Sequence, residues 1–391
     1  MKLSRIGLPK LRAESDELLH LDALRFVAAI GVVAYHLAEI FALRPVTALG
    51  RLASSLNLFV DLFFTISGFV ISWIYAGRIS NAADYGRFMQ KRIARIGPLH
   101  WLLLGAFVAL AWISARLSHG AKPLSLDCFL PNLFFLHATG VCHALSFNYP
   151  SWSISAEMVM YALFPAYLVI ARDWRRGAVV ILAIAAALTI AIALTGSRPW
   201  WRWTYDFGVL RAIPAFLLGV VLYRIRAFLS RITAAPLLVW IALAAFFVAS
   251  AMGAPKGAIL LPLIYLIGGL GVAADLRGAT SFVRRLGPAG QLTYSLYMWH
   301  GFLLAVITSA TVQHLLGNPH GGRYRIFVSA LMLTLLPVSY LSLFFFEQPA
   351  RRWMGRLGAP PRASEARHGE HSGTAQPHAV QAPKRRSLPG G

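Results

Sequence analysis

Arg25 and His36 stand eleven residues apart in one apolar run, LDALRFVAAIGVVAYHLAEI, which also carries Asp22 and Glu39. In a helix that spacing leaves the two about 20° from alignment on one face and roughly 16 Å apart along the axis. One face thus presents a cation near one end and, toward the other, an imidazole able to take a proton near neutral pH. The plainer possibility is that Arg25 snorkels to headgroups and His36 bonds a neighbouring helix. Asp61 in FVDLFFTISGFVIS, Glu157 in SWSISAEMVMYALFP and Arg211 in FGVLRAIPAF fall at a depth comparable with that of His36. Four ionisable groups at one level suggest a polar cavity opening outward, or else a structural charge network. His300 in YSLYMWHGFLL lies nearer the midplane, where it suits either core hydrogen bonding or substrate contact. Arg92 and Arg95, three apart in RIAR, are neighbours on one face if their segment is helical, a pair able to clamp a phosphate or to touch anionic lipid. Glu347 in FFFEQPARRWM can pair with Arg351 or Arg352, which reads as a structural anchor.

Such charges carry weight because of what surrounds them. Of the 391 residues, 57% are hydrophobic and 13% charged, which excludes an ordinary soluble domain. In so apolar a chain the formal charge of +22 marks loops held on one side of a membrane rather than a nucleic-acid partner. An ionisable side chain within a span is expensive, and is therefore a functional candidate.

The fold expected is an all-α polytopic bundle of about ten transmembrane helices, at 21–42, 57–76, 97–115, 152–171, 178–196, 207–223, 236–252, 257–275, 290–312 and 326–346. The stretch 126–138 is short and carries Asp127, Pro131 and Asn132, so it reads as re-entrant or interfacial. With the N-terminus inside, most of the 37 Lys and Arg residues fall in inside segments, obeying the positive-inside rule with both termini cytoplasmic. The organisation is a cytoplasmic segment 1–20 without signal-peptide character, a membrane domain 21–353 and a polar disordered tail 354–391. Cys128 and Cys142 lie in the longest outside loop, where an oxidising compartment permits a disulfide, although two unrelated thiols fit equally. No metal site is expected: the sparse His368, His371 and His378 belong to the tail. Oligomeric state is not legible, because lipid-facing and dimer surfaces share a composition.

In their order, these pieces resemble the membrane-bound acyltransferase family 3, bacterial enzymes that O-acylate surface glycans. The resemblance runs from about residue 20 to residue 353. It rests on the Arg-x10-His spacing of Arg25 and His36, DLFF-x-x-SGF close behind it, RIAR, SWSISAEMVMYALFP, YSLYMWH and FEQPARR. The chain departs from the familiar pattern where paired acidic residues become Ala156-Glu157, and it carries no hydrolase-like domain of the kind some members have.

The resemblance implies transfer of an acyl group, acetyl above all, from cytoplasmic acyl-CoA as co-substrate to a hydroxyl of an extracytoplasmic carbohydrate such as O-antigen or exopolysaccharide. It implies a bacterial inner-membrane enzyme whose partners are donor, glycan and lipids. Arg25, Arg92 and Arg95 would hold the donor. His36 would deprotonate the acceptor, with Asp61 or Glu157 orienting the imidazole; an acyl-histidine route stays open. Arg211, His300, Ser67 and Trp152 would contact substrate, and Ser67, Arg211 or Ser153 could steady the oxyanion. A secondary transporter or flippase using the same charges as an ion relay is the alternative; a non-catalytic scaffold or sensor is a third.

Overall fold

A computed structural model describes residues 9–11, 18–117, 126–308 and 322–357. Most of segment 1–20, the end of segment 290–312 and nearly all of tail 354–391 lie outside the described residues, which are helical without strands. The long elements are α1 (Leu19–Ile40), α2 (Ala48–Tyr75), α3 (Ala82–Leu117), α4 (Trp152–Ala162), α5 (Phe164–Ile170), α6 (Trp174–Thr195), α7 (Gly208–Arg224), α8 (Ala235–Met252), α9 (Lys256–Arg277), α10 (Thr293–Thr308) and α11 (Tyr324–Arg356).

Over the described residues each of the ten apolar segments is largely helical. Among those residues 7 helices are long and apolar enough to cross a membrane, or 8 if the bent pair α4 and α5 is one span, against the ten expected. α7, with 17 residues, is at the short end for a hydrocarbon core of about 30 Å. Segment 152–171, expected as one span, is bent by 62° after Ala162. Pro165 sits in the first turn of α5, where its missing N–H and its ring break a helix continuing from above.

The segment 126–138 forms no helix long enough to cross a membrane. It forms one short helix, Phe129–Leu133, held against α3 by His100 Nε2 at 2.8 Å from the Asn132 carbonyl and by Trp101 Nε1 donating to the Leu133 carbonyl at 3.0 Å. Cys128 and Cys142 are joined in a disulfide, with Cα atoms 5.8 Å apart.

α2 is the hub: Leu58, Phe59 and Phe69 have no exposed surface. It crosses α7 at glycines. A Cβ on Gly68 would stand 2.1 Å from the Phe216 carbonyl oxygen, and one on Gly219 would stand 2.1 Å from that of Thr65. Apolar side chains gain little from leaving lipid for a protein interior, so close backbone approach at small residues is what binds such helices. α6 is the opposite case, with only 6% of its apolar window buried, and faces outward over most of its length.

The start of α1 is fixed from outside the helix. Leu18 offers no side-chain cap, leaving the first N–H groups without partners. Asp275, near the end of α9, accepts from the His20 and Leu21 amides at 2.7 and 3.0 Å and meets His20 Nδ1 at 3.0 Å. A carboxylate at a helix N-terminus is favoured by charge as well as by hydrogen bonding. α1 is thereby anchored at the end that carries Arg25.

Candidate active site

α1 carries two separate polar environments. Around Arg25 the bundle encloses a cavity of about 470 Å³, lined among others by Arg25, Arg92, Arg95, Arg351, Ser67 and Glu157. Five helices deliver these side chains. Arg92 and Arg95 lie on one face of α3, which is helical here rather than an irregular loop. Arg92 is only 7% exposed and is held by aromatic rings. Its guanidinium lies 5.3 Å from the Tyr75 ring centre and 5.9 Å from that of Tyr161, and it donates to the Tyr75 hydroxyl at 3.2 Å. Arg25 has Asp22 at 3.7 Å, one turn back on α1. Rings that flank a guanidinium fix its plane while leaving N–H groups for an anion.

Glu157 belongs to this cavity. Its carboxylate accepts from Ser67 Oγ at 2.7 Å and from the Tyr161 hydroxyl at 2.5 Å. Expected at the level of His36, Glu157 instead lines the cavity that holds the arginines.

Asp61 and Arg211 form a closed pair. Arg211 donates through its Nη2 at 2.7 Å and its Nε at 3.3 Å to the two carboxylate oxygens. The side chains are 0% and 2% exposed. Trp152 stacks on Arg211 at 5.2 Å, and the Asn57 carbonyl accepts a further bond at 3.0 Å. Both oxygens of Asp61 are thus engaged with Arg211, and the pair fastens α2 to α7. The single outward cavity expected from His36, Asp61, Glu157 and Arg211 resolves into three distinct groups.

His36 lies at the far end of α1. Its Nδ1 is 3.0 Å from Glu39 Oε2, one turn further along. Three rings surround it: Tyr35 edge-on at 4.8 Å, Tyr149 edge-on at 4.9 Å and His300 stacked at 5.4 Å. His300 has no exposed surface; its Nδ1 lies 3.2 Å from the Leu296 carbonyl and its Nε2 has no partner. The two regions meet at Tyr297. Its ring lines the cavity with Phe63 and Ser153 and stands 5.5 Å from His300, while its hydroxyl lies 2.7 Å from Ser153 Oγ. Glu347 accepts from Ser295 and Ser342, each at 2.6 Å.

The expected donor residues Arg25, Arg92 and Arg95 are therefore gathered in one place, together with Ser67 and Glu157. His36 and His300 touch, and Trp152 accompanies the Asp61–Arg211 pair. Sequence reasoning gave no role to Glu39, although its spacing of three from His36 was a readable helical signal. Tyr149 carried no such signal, because it meets His36 from a distant segment; Tyr161, four residues from Glu157, and Tyr297, three from His300, stood at readable helical spacings. Among the described residues no group of three His, Cys, Asp or Glu side chains could hold a metal ion.

Comparison with known proteins places this geometry in context. The family model described as an acyltransferase domain, that of acyltransferase family 3, matches residues 18–346. The chain is 27% identical over 309 residues to the exopolysaccharide production protein ExoZ of Rhizobium meliloti, covering 75% of this chain and 89% of that protein. It is 31% identical over 154 residues to the acyltransferase MdmB of Streptomyces mycarofaciens, 38% of each chain. It is 25% identical over 186 residues to the putative peptidoglycan O-acetyltransferase YrhL of Bacillus subtilis, 44% of this chain and 27% of that one. No solved structure matches.

Proposed function

Because the chain belongs to acyltransferase family 3 and is a multi-pass membrane enzyme that transfers acyl groups, we propose that it moves an acetyl group from cytoplasmic acetyl-CoA to a hydroxyl of an extracytoplasmic glycan. In this reading it sits in the bacterial inner membrane, with ten crossings and both termini in the cytoplasm. The family resemblance to ExoZ favours an exopolysaccharide-like acceptor.

The observation that carries the proposal is the convergence of Arg25, Arg92, Arg95 and Arg351 on one cavity. Diphosphate and 3′-phosphate groups call for guanidinium donors, and a half-buried, ring-flanked arginine binds them more firmly than a solvated one. The donor's flexible arm then runs along α1, past Ser67, Glu157 and Tyr297, toward His36. Ser67 and Tyr161 hold the Glu157 carboxylate in the cavity wall, so Glu157 acts on the donor side instead of orienting His36.

At His36 the neutral imidazole takes the proton of the acceptor hydroxyl as its oxygen attacks the thioester carbonyl carbon. The carbon–sulfur bond breaks, and the departing thiolate recovers the proton from the imidazolium. A neighbouring N–H or O–H donor must steady the oxyanion; Ser153, on the Tyr297 side of the cavity, is the candidate closest to the route. Asp61, Arg211 and Trp152 hold the helices that frame this route.

The test is transfer of label from radiolabelled acetyl-CoA to alkali-deacetylated exopolysaccharide by purified protein in detergent or nanodiscs. Label should move with the native chain and not with His36→Ala. Equal transfer by both proteins, or no transfer by the native chain to any envelope glycan, would end the proposal.

A further inference from the structure

The polar group least explained by the proposed route is Glu39. It lies beyond the cavity, and its side chain is 56% exposed. Yet it makes the one carboxylate contact to the proposed base, Oε2 to Nδ1 at 3.0 Å. The Tyr35 hydroxyl lies against the same carboxylate, so α1 supplies base, acid and a second hydroxyl within five consecutive residues. We infer that Glu39 is the positioning residue of His36, holding its Nδ1–H so that Nε2 carries the lone pair that receives the acceptor proton.

The argument is geometric. A carboxylate only accepts, so its contact with Nδ1 fixes the tautomer with hydrogen on that nitrogen. His300 covers one ring face and the edges of Tyr35 and Tyr149 close two further sides. The imidazole therefore has one orientation, and Nε2 is the nitrogen left for chemistry. Asp61 is unsuited to the same task because Arg211 engages both its oxygens, and Glu157 meets Ser67 and Tyr161 through Oε1 on the wall of the arginine cavity. The groups facing the imidazole are Tyr35 and Glu39 on α1, Tyr149 from the loop before α4, and His300 on α10; Arg202 acts on Glu39 from the loop before α7.

The exposure of Glu39 bounds the effect. Water can replace a lost partner at an exposed site, so the penalty falls well below the roughly 10⁴-fold seen when the buried aspartate of a serine-protease triad is neutralised. Glu39→Gln is expected to lower kcat about 10- to 100-fold with the KM for acetyl-CoA unchanged, because the donor cavity lies elsewhere. It also has a signature that mere structural damage lacks: kcat falls while the KM for acetyl-CoA holds, and Glu39→Asp, which keeps an accepting carboxylate, restores part of the rate that Glu39→Gln loses.

This inference rests on His36 being the base, and the two fail differently. If His36→Ala still transfers label, the base assignment falls and Glu39 with it. If His36→Ala is inactive while folded Glu39→Gln keeps the native rate, or loses rate that Glu39→Asp does not restore, the base stands and the role of Glu39 is overturned. Monodisperse elution of each variant separates these outcomes from unfolding.

Discussion

The two ends of α1 differ in how many elements they draw on. At the Arg25 end, carboxylates come from Asp22 on the same helix and Glu157 on α4, and the further cations come from α3 and α11. At the other end, the imidazole of His36 meets Glu39 three residues away on its own helix. A donor held by several distributed cations loses affinity by increments when one is removed, whereas a single imidazole has no substitute. Binding and chemistry should therefore separate along this helix, and mutations at one end should leave the other end's parameter unmoved.

The sharpest way to break that division is His36→Ala. Loss of a general base is expected to lower turnover by about 10²- to 10⁴-fold, with acetyl-CoA still bound in a filter-binding or calorimetric assay. If donor affinity collapsed together with turnover, the two ends would be one site.

Next in size is Asp61→Ala, which addresses the third group and not either end. It leaves the Arg211 cation buried without its partner, a defect that costs about 3–5 kcal/mol. The thermal midpoint in detergent should drop clearly, while the surviving folded fraction turns over normally. An unaltered midpoint with abolished turnover per folded molecule would move Asp61 into the chemistry.

Arg92→Ala probes the Arg25 end. Charge-assisted contacts of about 1.5–3 kcal/mol correspond to a rise of roughly 10- to 100-fold in the KM for acetyl-CoA, with kcat nearly held. A kcat defect at unchanged KM would contradict a donor role. The smallest effect is expected from Tyr75→Phe, which removes the hydroxyl that Arg92 touches and keeps the ring beneath it. Removing one neutral partner of about 0.5–1.5 kcal/mol should raise the same KM a few-fold; a larger rise than that of Arg92→Ala would make the tyrosine, rather than the arginine, the ligand.

Much of the molecule was legible because a membrane makes strict demands. Backbone groups in hydrocarbon must bond internally, so a long apolar run is expected to be helix, and over the described residues the ten segments largely are. The rarity of charge inside those runs singled out Arg25, His36, Asp61, Glu157 and Arg211. Helical spacing along a single element was also informative: it joined Arg92 to Arg95 across one face, and it contained the link from His36 to Glu39.

What escaped the sequence was partnership between elements. Glu157 bonds Ser67 and Tyr161 and lines the cavity of the arginines, not the surroundings of His36. The glycine crossing of α2 with α7 brought Asp61 onto Arg211 and closed both into the core. The sequence by itself determined which side chains are chemically out of place in an apolar bundle and which share a helical face, because both follow from composition and a fixed rise per residue. Only the tertiary structure decided which of those charges neutralise one another and which remain open to a substrate, because that depends on where helices bend and how closely their backbones cross.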